Sequence, residues 1–370
     1  MKLTELRLNY FRNYEHGNFS FGDNLNIILG DNGAGKTSLL EAIHYLSLTK
    51  SFRTHNNSNV VYNNHAYFQL FGNFYDSKNN QISVNLNYSK NDGKKLFFNH
   101  TEMKKKTEII GKIPLIILSP GNQTITAGGP ALRRNFIDRI LSQTSNEYLY
   151  VLIEFKKRMY QRNLLLSRYR DNKNRYDEYF ETIDSILSDH AFHIQKMRIQ
   201  FVRDFNPVFK KIFQSLSHSE KTVKLKLLPN INADLNQFKK VYMDKLKTRF
   251  QRDLKYGRTC FGPQLDQILF IFNKNDIRFT GSQGEQKIFL VALKLAEGIF
   301  IEEKLNEKVI FLLDDLFALL DKKHCINIIN HIGFESQTFI TTTDITVLQR
   351  SDLDLTNYNS RLFKLPIGLA

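Results

Sequence analysis

The segment GDNGAGKT, residues 30 to 37, has glycines, a lysine and a threonine at the spacing of a phosphate-binding loop. Glycines let the backbone curl so that its N–H groups face a polyphosphate, and a following helix adds its positive N-terminal end. Lys36 would place a cation on the β- and γ-phosphates, and the Thr37 hydroxyl would bind Mg²⁺. The strand-like run before the loop and the helical run after it complete the context of this motif. The predicted nucleotide contacts here are Gly30, Asp31, Asn32, Gly33, Ala34, Gly35, Lys36, Thr37 and Ser38.

Two aspartates end a second apolar run, VIFLLDD at residues 309 to 315. We expect such a strand to lie beside the phosphate loop, where Asp314 would help to hold Mg²⁺ through water ligands. Asp315 stands where a carboxylate can orient the attacking water or accept its proton. Together with Lys36, these two aspartates are the predicted catalytic groups. The alternative is a pair of solvated acids at the end of a strand.

Two further segments carry predicted nucleotide contacts. In FRNY, residues 11 to 14, Arg12 is predicted to reach a phosphate and Asn13 the edge of the nucleotide; a surface arginine is the alternative. In GSQGEQ, residues 281 to 286, Ser282 and Gly284 offer a hydroxyl, backbone N–H groups and the start of a helix. A plain helix cap is the alternative for Ser282. Because this second segment has no lysine, we expect it to close over a nucleotide that a phosphate loop already holds.

The elements that must position these residues indicate an α/β protein. Residues 1 to 30 have the pattern of three short strands, and residues 37 to 48 have apolar positions at helical spacing. An alternating, aromatic pattern from 60 to 100 predicts an antiparallel meander, and residues 113 to 120 predict a buried strand that a proline ends. Long amphipathic helical runs fill residues 131 to 256. The expected fold is a mixed sheet around a phosphate-loop core with an inserted, mainly helical lobe.

Charge supports the same division of the chain. The predicted ATPase domain is discontinuous, with residues 1–120 and 257–370, and the lobe covers residues 121–256. The net charge of the chain is +15. Residues 151–256 have 23 Lys and Arg against 12 Asp and Glu, so most of the excess falls in the lobe. An excess this localised predicts a nucleic-acid surface on the lobe. An acidic membrane surface and a merely solubilising charge are the alternatives.

Other features exclude several classes of protein. The two cysteines, Cys260 and Cys325, belong to no zinc-binding pattern, and their scarcity suits a reducing compartment. No apolar run approaches the roughly 20 residues that span a bilayer. The N-terminus is too charged for a signal peptide. These observations indicate a soluble, cytoplasmic protein with no membrane partner.

The order of phosphate loop, serine-glycine helix and double-acid strand resembles the layout of ABC-type ATPases. The resemblance implies that the serine helix of one subunit caps the nucleotide of the other, so that two copies pair head to tail around two ATP molecules. Ser282 would then contact the γ-phosphate held by the partner. The segment ALLD, residues 318 to 321, would cross between the copies, with Asp321 at the centre of the pair.

From end to end the chain resembles the RecF family of bacterial recombination mediators, which are related to SMC ATPases. The segments that carry this resemblance are LRLNYFRNY, GDNGAGKTSLLEAIHYLSLTKSFRT, GGPALRRNFID, QRNLLL, FTGSQGEQKIFLVALKLAE, VIFLLDD and TFITTTD. The family resemblance implies ATP-dependent dimerisation on duplex DNA near gaps and junctions between single and double strands. It also implies partners of the RecR and RecO type, which place recombinase at stalled replication.

Departures from related patterns refine these expectations. Asp315 stands where faster ATPases have glutamate, so we expect slow hydrolysis, about one turnover per minute or less. Thr343 stands where transporter ATPases have a histidine, which counts against the first alternative class, the ATPase subunit of a membrane transporter. A second alternative is an ATPase of the OLD type without its nuclease domain, and a third is a scaffold that binds ATP without turnover.

Overall fold

The computed structural model describes residues 1–54, 56–169, 176–217, 221–315, 322–332, 335–344 and 360–365. The chain divides into two compact units. Unit 1 comprises Met1–Gln123, Ile212–Ser219 and Gln283–Ala370, and unit 2 comprises Thr124–Lys211 and Glu220–Ser282. Within the described ranges, no helix has both the length and the apolar character that crossing a membrane requires.

The helices and strands follow one another along the chain as follows. The first part contains β1 (Lys2–Phe11), β2 (Tyr14–Ser20), β3 (Leu25–Leu29), α1 (Lys36–Leu48), β4 (Tyr67–Tyr75), β5 (Gln81–Ser89), β6 (Gly93–Phe98), β7 (Thr101–Glu102) and β8 (Leu115–Leu118). The middle contains α2 (Gln123–Ala127), α3 (Pro130–Thr144), α4 (Asn146–Tyr169), α5 (Glu178–Ser217), β9 (Val223–Leu228), α6 (Phe238–Thr248), α7 (Phe250–Tyr256), β10 (Gln267–Phe272), β11 (Asn275–Asp276) and α8 (Ile277–Thr280). The last part contains α9 (Gln283–Leu305), β12 (Ile310–Leu313), α10 (Lys322–Ile332), β13 (Thr338–Thr342) and β14 (Arg361–Lys364).

Unit 1 contains an antiparallel sheet of six strands in the order β2-β1-β4-β5-β6-β7. Its strands alternate between buried apolar and more exposed side chains, and Phe68, Leu70 and Phe74 of β4 are fully buried. Such alternation is expected when one face of a sheet packs on a core and the other faces water. The antiparallel meander predicted for residues 60 to 100 is therefore confirmed.

The second sheet of unit 1 is parallel, in the order β14-β3-β13-β12-β8. Strands β8, β12 and β13 are buried along their whole length, as parallel strands covered on both faces are. Helix α1 contacts strands of both sheets, and every residue of it except Thr37 is buried. The helix that follows the phosphate loop thus packs between the two sheets, and the mixed α/β fold expected from the sequence is confirmed.

Unit 2 is mainly helical, and its three-stranded sheet has the order β11-β10-β9. Strand β10 pairs with β9 in antiparallel register, with Phe270 opposite Leu225. This pairing explains why the boundary of unit 2 differs from the predicted residue 256. Residues 257–282 group with unit 2 because β10 completes a sheet whose first strand lies in the lobe.

A buried ion-pair network holds the helices of unit 2 together. Arg162 of α4 is fully buried and donates to Asp184 of α5 at 2.6 Å and to Asp253 of α7 at 2.7 Å. The Thr259 hydroxyl also accepts a hydrogen bond from the same guanidinium at 2.9 Å. Both carboxylates are also fully buried, so each charge depends on the others for the interactions it has lost with water.

Removing the central cation should therefore destabilise the protein strongly. We expect Arg162→Ala to lower the free energy of unfolding by about 3–5 kcal/mol, because two buried carboxylates lose their counter-ion. Arg168→Ala, at an exposed position of the same helix, should change it by less than about 0.5 kcal/mol. Urea unfolding followed by circular dichroism measures both. Equal effects of the two substitutions would contradict the structural role of Arg162.

Candidate nucleotide-binding site

The loop between β3 and α1 has the backbone geometry that its glycines permit. Gly33 and Gly35 have φ angles of +89° and +92°, in the left-handed region that favours glycine. Gly30 N–H donates to the carbonyl of Thr342 at 3.3 Å, and Ala34 N–H donates to that of Asp31 at 3.2 Å. The loop therefore curls over the end of the parallel sheet and leads directly into α1.

Lys36, the first residue of α1, turns its ammonium back over the loop. Its Nζ donates to the carbonyl oxygens of Gly30 at 2.6 Å and Asp31 at 2.8 Å. Burial lowers the pKa of Lys36, whereas the carboxylates of Asp315 and Asp314 act in the opposite direction. The Lys36 ammonium is therefore held next to the loop, where an anion that binds to the loop can reach it.

Asp314, directly after β12, receives hydrogen bonds from two hydroxyl groups. Thr37 of α1 and Thr341 of β13 both donate to its Oδ1 at 2.9 Å. The Thr341 hydroxyl also accepts from the backbone N–H of Asp315 at 2.9 Å. Burial raises the pKa of the Asp314 carboxyl, and the hydrogen bonds from Thr37 and Thr341 oppose that shift. Strand β13 lies between β3 and β12, so Thr341 stands between the phosphate loop and Asp314 at this end of the sheet.

These side chains share one cavity of unit 1, with a volume of about 190 Å³. The cavity is formed by the phosphate loop, the start of α1 and the ends of β12 and β13. It brings together Lys36, Thr37, Asn13 and both aspartates that are predicted to be catalytic. The residues that line it are Asn13, Asn32, Gly33, Gly35, Lys36, Thr37, Ser38, Arg53, Asp314, Asp315 and Thr341.

Arg12 and Asn13, between β1 and β2, have different surroundings. Asn13 Nδ2 donates to the Gly33 carbonyl at 3.0 Å, so its side chain supports the phosphate loop. Arg12 donates to both carboxylate oxygens of Glu41, at 2.9 and 2.7 Å, and is not among the residues that line the cavity in the described part of the chain. Its predicted phosphate contact stays a prediction.

The chain passes from unit 2 to unit 1 within the second glycine-bearing segment. Ser282 is the last residue of unit 2, and Gly284 lies in the first turn of α9 in unit 1. Both residues are exposed, and neither is among the described residues that line the cavity. Asp321 and the ALLD segment lie outside the described residues.

Three contributions to the site were missed by reasoning from the sequence. Arg53 lines the cavity, and its NH1 lies 3.6 Å from the buried carboxylate of Glu41. Thr341 makes the bridging hydrogen bonds, and Tyr14 donates through its hydroxyl to the Gly35 carbonyl at 3.2 Å beneath the loop. Two features of the sequence could have indicated these residues: Arg53 follows α1 closely, and a run of threonines ends a buried strand.

The chemistry of this cavity fits a magnesium-bound nucleoside triphosphate. A helix N-terminus, curled backbone and a lysine suit the phosphate oxygens. A hydroxyl hydrogen-bonded to a carboxylate suits a hard cation such as Mg²⁺, which prefers oxygen ligands. At Gly33 an added Cβ would meet nothing within 4 Å, so the space above the loop is open.

A parallel sheet that brings this loop and two carboxylates together, joined to an antiparallel meander and a helical insertion, defines the head of an ABC-type ATPase. The family model described as "RecF/RecN/SMC N terminal domain" matches residues 2–360. A protein of Bacillus mycoides named "DNA replication and repair protein RecF" is 32% identical over 357 residues, covering 95% of each chain. A protein of Chloroherpeton thalassium with the same name is 34% identical over 351 residues, covering 93% of this chain and 95% of its own. The chain therefore belongs to the RecF family.

Solved structures agree with this assignment. The structure titled "Structure of the recombination mediator protein RecF-ATP in RecFOR pathway" superposes with a TM-score of 0.88 at 27% identity, covering 99% of this chain and 98% of that chain. A head domain of Smc bound to the C-winged helix domain of ScpA superposes with a TM-score of 0.55 at 14% identity, covering 95% of this chain and 92% of that chain. The second likeness shows the fold alone.

The two glycines of the loop should respond differently to substitution. Gly33→Ala should lower the free energy of unfolding by about 1–2 kcal/mol, because alanine disfavours the left-handed backbone conformation at this position. In Gly35→Ala the new Cβ would also lie 2.9 Å from the Tyr14 hydroxyl oxygen, which adds about 1–3 kcal/mol of overpacking. Urea unfolding of the two variants measures the difference, and equal destabilisation would contradict the close packing of Tyr14 against the loop.

Proposed function

We propose that this chain is an ATP-dependent DNA-binding protein of replication and repair, acting as a nucleotide-controlled dimer. The observation that carries the proposal is the cavity in which Lys36, Thr37 and Asp314 converge within a RecF fold. The relatives' shared name refers to DNA replication and repair, and a structural neighbour's title refers to ATP and the RecFOR pathway. RecR and RecO proteins are the corresponding proposed partners. The proposed location is the cytoplasm, where such DNA is found.

In the proposed binding step, residues 30–38 surround the triphosphate. The Lys36 ammonium would leave the carbonyls of Gly30 and Asp31 for the β- and γ-phosphates, while the first N–H groups of α1 donate to the phosphate oxygens. Asn13 would remain on the loop and face the nucleotide. Thr37 and Asp314 would hold Mg²⁺, which when bound neutralises charge that develops on the phosphates.

In the proposed hydrolysis step, Asp315 orients a water molecule and accepts its proton. The backbone of Asp315 is in the left-handed region, with φ of +49°, and its N–H is fixed by the Thr341 hydroxyl. This arrangement holds the short carboxylate at the end of β12 and limits its reach. Turnover is therefore expected to be slow, which suits a timer better than a metabolic enzyme.

The proposed pairing of two copies explains the exposed serine segment. The cavity of unit 1 contains a phosphate loop and carboxylates, but Ser282 is not among its described lining residues. Ser282 and Gly284 would cap the nucleotide bound by a second copy, because the N-terminus of α9 and the hydroxyl both suit a γ-phosphate. Loss of that phosphate would remove the contact and release the pair.

The membrane-transporter alternative has less support. Thr343 is exposed directly after β13, where a transporter ATPase would have a histidine. The basic excess of the lobe favours a nucleic acid over a transporter subunit as the partner of unit 2. A scaffold that binds ATP without hydrolysing it differs from the proposal only in the role of Asp315, and a single-turnover measurement of phosphate release separates the two.

Ser282→Arg tests the pairing directly. A bulky cation at this exposed position should leave binding of a fluorescent ATP analogue within about twofold of wild type, since Lys36 and the loop are intact, and should abolish the ATP-dependent dimer in sedimentation velocity. Ser167→Arg, on the exposed surface of α4, introduces the same side chain and should pair normally. A Ser282→Arg variant that dimerises like wild type would exclude the serine cap.

A further inference from the structure

The basic charge of unit 2 is concentrated in one stretch of the chain. Between residues 196 and 228 there are eight Lys and Arg and only two acidic residues, Asp204 and Glu220. One of the eight, Arg198, is buried against Asp138 and Asp266 and is not accessible to a ligand. The other seven cations lie on α5, on β9 and, for Lys221, just before β9.

A pair of hydrogen bonds fixes α5 against β9. The Asn206 side chain accepts from the Leu225 N–H at 2.7 Å and donates to the Leu225 carbonyl at 3.0 Å. Leu225 lies on β9, at the edge of its three-stranded sheet, so Asn206 satisfies two backbone groups that an edge strand leaves unpaired. The exposed faces of this helix and this strand thus lie side by side at a defined point.

Four cations surround that point. Arg203 and Lys210 lie three residues before and four residues after Asn206, which places them on its face of the helix, one turn away on either side. Lys224 and Lys226 flank Leu225 on β9 and point to the face of the strand opposite its buried side chains. All four side chains are exposed. We name these four residues the α5–β9 basic cluster.

Among the residues that the structure describes, Asp204 forms an ion pair with the cluster and leaves most of the cluster's charge available. Asp204 lies 3.8 Å from the Arg203 Nε, a distance typical of a weak surface pair. Arg203 nevertheless has a side chain that is 75% exposed. The cluster therefore presents a local positive field to solvent.

We propose that the α5–β9 basic cluster binds the phosphate backbone of duplex DNA. This inference rests on the proposed function, and it adds the residues that make the contact. The two lysines are about 6.6–6.8 Å apart along the strand, and Arg203 and Lys210 are about 10.5 Å apart along the helix. A duplex has one phosphate charge per about 1.7 Å of its axis, so a patch of these dimensions meets several phosphates at once.

The chemistry of the cluster favours contact with the phosphate backbone of DNA over base recognition or membrane binding. Long cations on the surface of a helix and an edge strand reach phosphates, whereas reading bases requires an element inside a groove. A membrane-binding surface adds exposed apolar side chains to its cations. Here the alternate residues of β9, Val223 and Leu225, are buried in unit 2.

The test compares two variants with the same loss of charge. In the cluster variant, Arg203, Lys210, Lys224 and Lys226 are all replaced by glutamine. In the control variant, four other exposed lysines of unit 2, Lys156, Lys157, Lys240 and Lys245, are replaced by glutamine. Binding of a labelled random-sequence duplex is measured by fluorescence anisotropy with Mg-ATP across a range of salt concentrations. Dimerisation with ATP is measured in parallel.

The cluster variant should bind the duplex about tenfold or more weakly at 0.1 M salt. The slope of log K against log salt should flatten by up to about 3.6, because each lost phosphate contact removes about 0.9. The control variant should keep both values close to wild type, and both variants should dimerise. Glutamine preserves helix propensity and side-chain size, so folding should be retained.

Three other outcomes have distinct meanings. Equal losses in both variants would overturn the inference and attribute binding to net charge alone. Unchanged duplex binding by the cluster variant, together with lost binding to phosphatidylserine vesicles, would assign the cluster to a membrane and also overturn it. A wild-type protein that binds no duplex at all would instead contradict the proposed function.

Discussion

The hydrogen bonds on the Asp314 carboxylate connect the parts of the molecule that must act together. One oxygen accepts from Thr37, which follows the phosphate loop, and from Thr341, which belongs to the strand between the loop and Asp314. The carboxylate therefore connects the ends of two strands, β12 and β13, with the start of helix α1. Because the carboxylate is buried, moving either hydroxyl away would leave a buried oxygen with one hydrogen bond fewer. Losing that bond costs free energy, so the site favours the arrangement in which both hydroxyls are in place.

The fold around this interaction explains why it can be held so closely. Helix α1 packs between a parallel and an antiparallel sheet, so both sheets fix the position of the helix that follows the loop. Tyr14 under the loop and Asn13 beside it come from the antiparallel sheet and connect that sheet to the backbone of Gly35 and Gly33. The antiparallel sheet thus contributes to the nucleotide site through positioning.

Much of this organisation could be predicted from the sequence, and the exceptions have physical reasons. The phosphate loop, the double-acid strand and the meander are local patterns, and local patterns are legible in one chain. Strand order is not local: nothing in VIFLLDD indicates that β13, near the far end of the chain, lies between it and the loop. The extent of unit 2 beyond residue 256 is not local either, because β10 belongs with β9 only through pairing.

Long-range partners also decide what an individual side chain does. Arg12 follows β1 in sequence and was predicted to contact a phosphate. In the structure it forms a two-point ion pair with Glu41 of α1. Arg53 carries no motif and lines the cavity. In unit 2, Arg162 and Arg198 add to the count of basic residues, but both form ion pairs with buried aspartates. The net charge counted from the sequence therefore exceeds the charge that is available to a partner.

We propose that each nucleotide lies between the loop of one copy and the serine segment of another. Mixing two defective variants tests this pairing. Lys36→Met has a defective loop and an intact serine, and Ser282→Arg has the reverse, so each alone should hydrolyse no ATP. Mixed in equal amounts, they can form one complete site per mixed pair. Hydrolysis should then appear, with a rate that rises with the product of the two concentrations. A mixture that stays as inactive as its components, while both variants remain folded, would contradict the account.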